Sequence, residues 1–440
     1  MNPDELLGLA ERIVEKGARK VDQIEVYMET GATLDVDLEA NQLAGSGTGK
    51  SKGGGVRIVH EGRLGFAYFT DADRSDLAIE QALQASKLSP QKMYQLPASQ
   101  AVPGVRHWDD AVAALDPAMA VQLAEDAMQG ALEVAPDAVV GGGAGVAWGM
   151  DAIASSEGAS SWDASTTVSA GVSLVLERDG QAVNAWDGES QHVGALDASS
   201  IGAEVGRTCV DLLSPKPATV GDLDVLFLPG AVGELVGGII ESAVDGDEAM
   251  RGKSVWSDKL GTKVAHEGFH LTDAPLAPGA LGVAATDGEG LAARDVPIIS
   301  GGVLQSYLFD SWDAHSHGKA STHSACRGGF KSQPGTGSQH WVVRHDNALS
   351  MERLQADMDG YVVESVLGAH TANTTTGDFS VTATNVWRVK DGERTASTDV
   401  AISGNLPDLL QRLDAASNEP RRKMGSVLPA LRFRDVSVSS

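Results

Sequence analysis

The stretch "SPKPATVG" at 214–221 divides this chain more sharply than any other. Pro215 and Pro217 bar both a helix interior and a central strand, because each lacks an amide donor and fixes its own φ. Directly after them, "DLDVLFLPG" (222–230) reads as a fully buried strand. A chain of 440 residues exceeds what one ordinary core encloses, so the break sets an expectation of two domains, 1–220 and 221–440.

The two parts differ in pattern. Before the break, residues 3–20 carry apolar side chains at helical spacing, and 24, 26, 28 and then 34, 36, 38 alternate as a strand does. "GGVRIVHEGRLGFAYFT" predicts a hairpin turning at Glu61-Gly62-Arg63, and helices are expected over 71–89, 116–133 and 197–214. After the break one helix, roughly 231–244, is followed by strand upon strand. The fold class expected is therefore α+β, with a mixed α/β N-terminal domain and a β-rich C-terminal one.

Charge and cysteine usage narrow the function. A net charge of −26 spread along the chain argues against nucleic acid and anionic membranes as partners. No apolar run approaches the roughly 20 residues that span a bilayer, and the N-terminus reads as an amphipathic helix rather than a targeting signal. Cys209 and Cys326 stand far apart with no C-x-x-C, which fits a reducing, cytoplasmic setting.

Three strings advertise chemistry that their surroundings do not support. His266-Glu267-Gly268-Phe269-His270 spells H-E-x-x-H, yet a zinc-peptidase helix needs several uninterrupted turns, and prolines follow closely. As a strand the segment holds its histidines roughly 13 Å apart, too far for one metal. A loop or strand with solvent-facing imidazoles is expected. "AGSGTGKS" (44–51) matches a permissive phosphate-loop pattern, but three more glycines and a strand follow where a helix N-terminus is needed. It reads as a flexible loop between strands. His315, His317, His323 and Cys326 lie close in sequence, but their spacing matches no standard zinc site, and the segment reads as an exposed loop. For a serine hydrolase, no Ser/His/Asp set can be argued from the sequence without geometry.

The ordered blocks "GGGVRIVHEGRLGFAYFTD" (53–71), "DVLFLPGAVGELVGGIIESAVDGD" (224–247), "GKSVWSDKLGTKV" (252–264), "TDGEGLAARDVPIISGGVLQSYLFDSWDA" (286–314), "GAHTANTTTGDFSV" (368–381) and "ISGNLPDLLQRL" (402–413) together resemble the TldD/PmbA family of peptidases. The resemblance implies a barrel-like C-terminal domain. It also implies one of two kinds of chain. TldD-type chains bind zinc through an H-E-x-x-x-H helix and a late cysteine, whereas PmbA-type chains, also called TldE, lack these ligands and pair with a TldD chain. Val244-Asp245-Gly246-Asp247 resembles the segment that ends the metal helix. Counting back from it puts the histidine positions at Gly237 and Ser242 and the glutamate at Gly238. The C-terminal stretch "EPRRKMGSVLPALRFRDVSVSS" holds no cysteine.

The expectation is thus a PmbA/TldE-like subunit with no cofactor of its own. Zinc is expected in a TldD-type partner, and unfolded peptide is the expected substrate of the pair. A hydrolase in its own right and a homodimeric peptide-binding module are the alternatives. Asn373, Asp378 and Ser380 are candidate peptide contacts, or else loop residues holding a β corner. Asp287-Gly288-Glu289-Gly290 reads as a tight turn with two carboxylates, with substrate contact as the alternative.

Overall fold

The computed structural model describes residues 2–277, 284–423 and 425–440. Helix α1 (Pro3–Gly17) starts at a capping box, in which the Asn2 side chain accepts from the Glu5 amide and Glu5 from the Asn2 amide. After it come β1 (Gln23–Glu39), β2 (Gln42–His60), β3 (Arg63–Phe69), α2 (Ser75–Ser86), β4 (Val105–His107) and α3 (Asp110–Ala113). The N-terminal part closes with α4 (Pro117–Val134), β5 (Val139–Ser155), β6 (Ser160–Arg178), β7 (Gln181–Gln191) and α5 (Ala198–Asp211). The strands form one sheet in the order β3-β2-β1-β5-β6-β4, with β7 also pairing to β6.

The alternation along β1 explains how this sheet is used. Ile24, Val26 and Met28 pack with α1 and α2, and further along Leu34, Val36 and Leu38 pack with α4 and α5. The opposite face carries Glu25, Tyr27, Glu29 and then Thr33, Asp35 and Asp37. The hairpin turns at Glu61 and Gly62, both at positive φ, and pairs His60 with Arg63. "AGSGTGKS" is not a loop. It lies inside β2, where Gly45 pairs with Asp37 and Gly49 with Thr33. The long β1 supplies a hydrogen-bond ladder that makes a strand of residues with no alternation of their own.

Beyond the prolines, β8 (Gly221–Phe227) pairs with Asp359–Leu367 on one side and Leu431–Ser439 on the other. Strands 378–390 and 400–405 complete the ring, so the sheet closes into a barrel. A second sheet includes Phe269–Asp273, Val296–Ser300 and Trp341–His345. The helical stretch from Pro229 to Val244 packs between the two, its Val232, Val236, Ile239 and Ile240 sharing one core with Val225, Tyr361, Phe269 and Val343.

The two parts meet at the triple glycine 53–55. A Cβ on Gly53 falls 2.3 Å from the Phe330 ring and one on Gly55 falls 2.7 Å from the Phe330 carbonyl oxygen, while one on Gly54 strikes Phe69 on the other face. Only glycine lets the Phe330 loop lie this close to β2. Beside it, Arg57 donates to Glu25 at 2.5 Å and to Glu289 at 2.7 Å, with all three side chains buried.

Candidate functional site

The candidate metal helix is a helix, but not a regular one. Residues Pro229–Leu235 and Glu241–Val244 are α-helical, and Val236–Ile240 between them form a π turn. In an α-helix, positions five apart stand about 140° from one another. A π turn admits an extra residue and brings 237 and 242 back toward one face. The backbone thus has the shape that an H-E-x-x-x-H pair of imidazoles needs, while the side chains are absent.

Gly237 faces open space, since a Cβ there meets no heavy atom within 4 Å. Gly238 is closed, because a Cβ there falls 2.9 Å from the Ala369 Cβ and 3.0 Å from the Ala369 carbonyl carbon. Zinc takes nitrogen, sulfur or carboxylate ligands, and the three positions offer one hydroxyl, from Ser242. These residues do not fit the ion. Among the described residues, no group of three or more His, Cys, Asp or Glu side chains could hold a metal.

The H-E-x-x-H histidines are not solvent-facing, as the sequence led us to expect, but half-buried. Their partners explain why. The His266 Nδ1 lies 3.1 Å from the His345 Nε2 with the rings stacked, and the His270 Nε2 lies 3.2 Å from Asp346. The Gly268 and Asn347 amides donate to the Nδ1 atoms of His266 and His345, so both rings accept at those nitrogens.

His315, His317 and His323 are each engaged separately. His315 meets the Lys92 carbonyl, His317 bonds Asp247 at 2.7 Å, and His323 bonds the Ala292 carbonyl. The expected exposed loop contains a short helix, Ser311–Ser316, capped by Asp310. Cys326 donates to the Ser338 carbonyl, and burial pushes its thiol up to about 12, leaving it a poor ligand and nucleophile.

Asn373 accepts from the Thr375 and Thr376 amides, and Asp378 accepts from Thr376 and Asn405. Both hold a turn, while Ser380 is exposed on its strand. Asp287 caps its own turn by accepting from the Glu289 and Leu291 amides, and Glu289 reaches across to Arg57. The Asp-Gly-Glu-Gly segment is therefore a turn that also joins the N-terminal sheet to the C-terminal part.

Two of the cavities along that junction bear on the site. One of about 770 Å³ runs between β7 and the barrel and is lined by Trp186, Gly230, Glu234, Glu364 and Leu367 among others. Burial raises the Glu234 and Glu364 carboxyls. The other, about 280 Å³, lies between Tyr27, Asp151 and Asp163 of the N-terminal sheet and Asp287, Ala325 and Cys326 of the C-terminal domain.

Models of the PmbA/TldA metallopeptidase family match three stretches: domain 1 at 24–89, the central domain at 110–213 and the C-terminal domain at 220–440. The chain belongs to this family. A metalloprotease of Methanothermobacter thermautotrophicus is 25% identical over 427 residues, covering 92% of this chain and 90% of that protein. A PmbA homologue of Haemophilus influenzae is 27% identical over 224 residues, covering 50% of this chain and 46% of its own length. The fold matches that of TldE from Thermococcus kodakarensis with a TM-score of 0.92 and 23% identity, covering 98% of this chain and all of that one.

Within the PmbA/TldA frame, sequence reasoning located the helical stretch after Pro229 but missed the junction. Arg57, Glu25, Asp151 and Asp163 carry no local motif. For Glu25, Arg57 and Asp163 the signal was a charge at a buried strand position.

Proposed function

We propose that this chain is the non-catalytic, TldE-like subunit of a two-component zinc peptidase that cuts unfolded peptides. The observation that carries the reading is the family's metal helix with Gly237, Gly238 and Ser242 in place of its ligands and base, and with no room at 238 for a longer side chain. Zinc belongs to a TldD-type partner, where it polarises the scissile carbonyl and activates water.

This chain's residues bind and enclose. Among the described residues β7 pairs only with β6, and its residues 182–184 and 186–188 line the larger cavity. An extended peptide added to that edge gains backbone hydrogen bonds with little demand on sequence. Ser380 is assigned to peptide contact, whereas Asn373 and Asp378 shape the turn beside it.

Mixing the chain with the TldD-type protein of the same genome, and following cleavage of an unstructured fluorogenic peptide, tests the reading. Hydrolysis that needs both proteins supports it. Equal hydrolysis by this chain alone overturns it.

A further inference from the structure

The N-terminal sheet ends in a strand that the chain leaves unprotected. Among the described residues β3 pairs with β2 alone, and residues 64–69 make no other backbone hydrogen bond. The chain after α2 covers only the hairpin end, where the Lys92 amide donates to the Gly62 carbonyl and Arg63 donates to the Ser89 carbonyl. An open edge is ordinarily blunted by a charge, a proline, a bulge or brevity, because its free amides and carbonyls recruit another strand. Leu64-Gly65-Phe66-Ala67-Tyr68-Phe69 carries no charge and no proline, and it pairs with β2 without a shift in register.

A groove of about 560 Å³ runs along that edge, between β3, α2 and Lys331. α2 sits directly on the strand, since a Cβ on Gly65 would fall 2.0 Å from the Ala82 carbonyl oxygen. Tyr68 and Leu77 line the groove, and each is 50% exposed. The Tyr68 ring meets Phe330 edge-on at 6.2 Å, which holds it in place along the edge.

The charged side chains lining the groove are Arg74 and Lys331, with no acid among them. Neither forms an ion pair among the described residues, and Lys331 lies over the Phe330 ring. Two unneutralised cations beside an apolar edge favour an occupant that brings carboxylates. A second copy of this chain does not. In a two-fold pair the same groove meets itself, adding two more cations and no lining acid.

We propose that the open edge of β3 takes up an extended, unfolded polypeptide bearing apolar and acidic side chains as an added strand. Backbone hydrogen bonds to residues 64–69 hold it, its apolar side chains cover Tyr68 and Leu77, and its carboxylates meet Arg74 and Lys331. The proposal gives the substrate a second docking edge, across the sheet from β7. It rests on the proposed function for the nature of the occupant. Binding is measured on this chain alone, so its failure and the failure of partner-dependent hydrolysis are distinguishable.

Fluorescence anisotropy of the full-length protein tests it at physiological ionic strength, where distant charges are screened. The probes are labelled Ser-Val-Glu-Val-Glu-Val-Ser, the same peptide with lysine for glutamate, and the same peptide N-methylated at every valine and glutamate. Hydrogen exchange with the glutamate peptide bound locates the site. Expected are binding of the glutamate peptide, roughly tenfold weaker binding of both controls, and slowed exchange at 64–69. A chain carrying Arg74→Glu and Lys331→Glu should also bind it roughly tenfold more weakly. Equal binding of either control, unchanged binding by the variant, or no binding at millimolar peptide overturns the proposal. So does slowed exchange at 181–191 without any at 64–69. Exchange at 64–69 that is already slow in a peptide-free dimer, seen by light scattering, would show that a second copy covers the edge, and overturns it too. Both substituted side chains are exposed, and the peptide comparisons use the unmodified chain, so the test stands even if the variant folds poorly.

Discussion

Replacing Arg57 with methionine removes the group that ties the two domains together electrically. Arg57 is 2% exposed, and Glu25 and Glu289 are 1% exposed, so water cannot take over its role. Glu25 keeps Arg327, but Glu289 loses the one cation paired with it among the described residues and retains the Ser311 hydroxyl and amide and the Tyr94 hydroxyl as donors. Breaking a buried ion pair from one side costs about 3–5 kcal/mol, mostly the penalty of the charge left behind. In the unmodified protein, burial pushes Glu289 up, but Arg57 and the Ser311 bonds outweigh it and hold it below its usual range. That stabilisation is present above the unfolded carboxylate's pKa and lost as pH falls.

In Arg57→Met the balance reverses and the folded pKa of Glu289 rises above the unfolded one. Stability is then greatest at low pH and is lost as pH rises through the new value. The two proteins should therefore differ by about 3–5 kcal/mol near pH 8 and converge toward pH 5. Urea denaturation across that range measures the difference. Arg57→Met with Glu289→Gln should recover part of the loss at pH 8, because the orphaned charge goes with it. A loss below about 1 kcal/mol at pH 8, within the range of an exposed pair, would refute the reasoning. A loss that does not change with pH would do so as well.

Other substitutions probe the helix and the histidine pair. Gly238→Glu drives a side chain into Ala369 and should destabilise by about 1–3 kcal/mol as overpacking, measured by thermal or urea melts; a neutral effect would show that the 369–371 turn yields freely. Burial and the neighbouring His266 hold the His345 pKa below its usual value. The unfolded chain therefore takes up this proton first, and stability should fall as pH drops below about 6.5. His345→Gln should flatten that acid limb by up to about 1.4 kcal/mol per pH unit, and an unchanged slope would show the pair to be inert.

Local pattern revealed some of this structure because local pattern produces it. The alternation at 24–28 and 34–38, the turn at Glu61-Gly62 and the stripe from Val232 to Ala243 each follow from one element's own period. The rest is set by contacts between distant residues. Gly45, Gly47 and Gly49 have no side chains to alternate, and only pairing with β1 makes them a strand. His266 meets its partner His345 79 positions away, and Arg57 meets Glu289 at a separation of 232. A row of Glu29, Asp151 and Asp163 exists only once the register of β1, β5 and β6 is fixed. The helix after the prolines was legible from its apolar stripe, although the π turn at Val236–Ile240 left no mark in the sequence.

Zinc content of the purified chain, measured by elemental analysis after dialysis, tests the central claim most directly. The account predicts no stoichiometric zinc, because Gly237, Gly238 and Ser242 provide no ligand set. About one zinc per chain would contradict it and make this protein a metal centre in its own right.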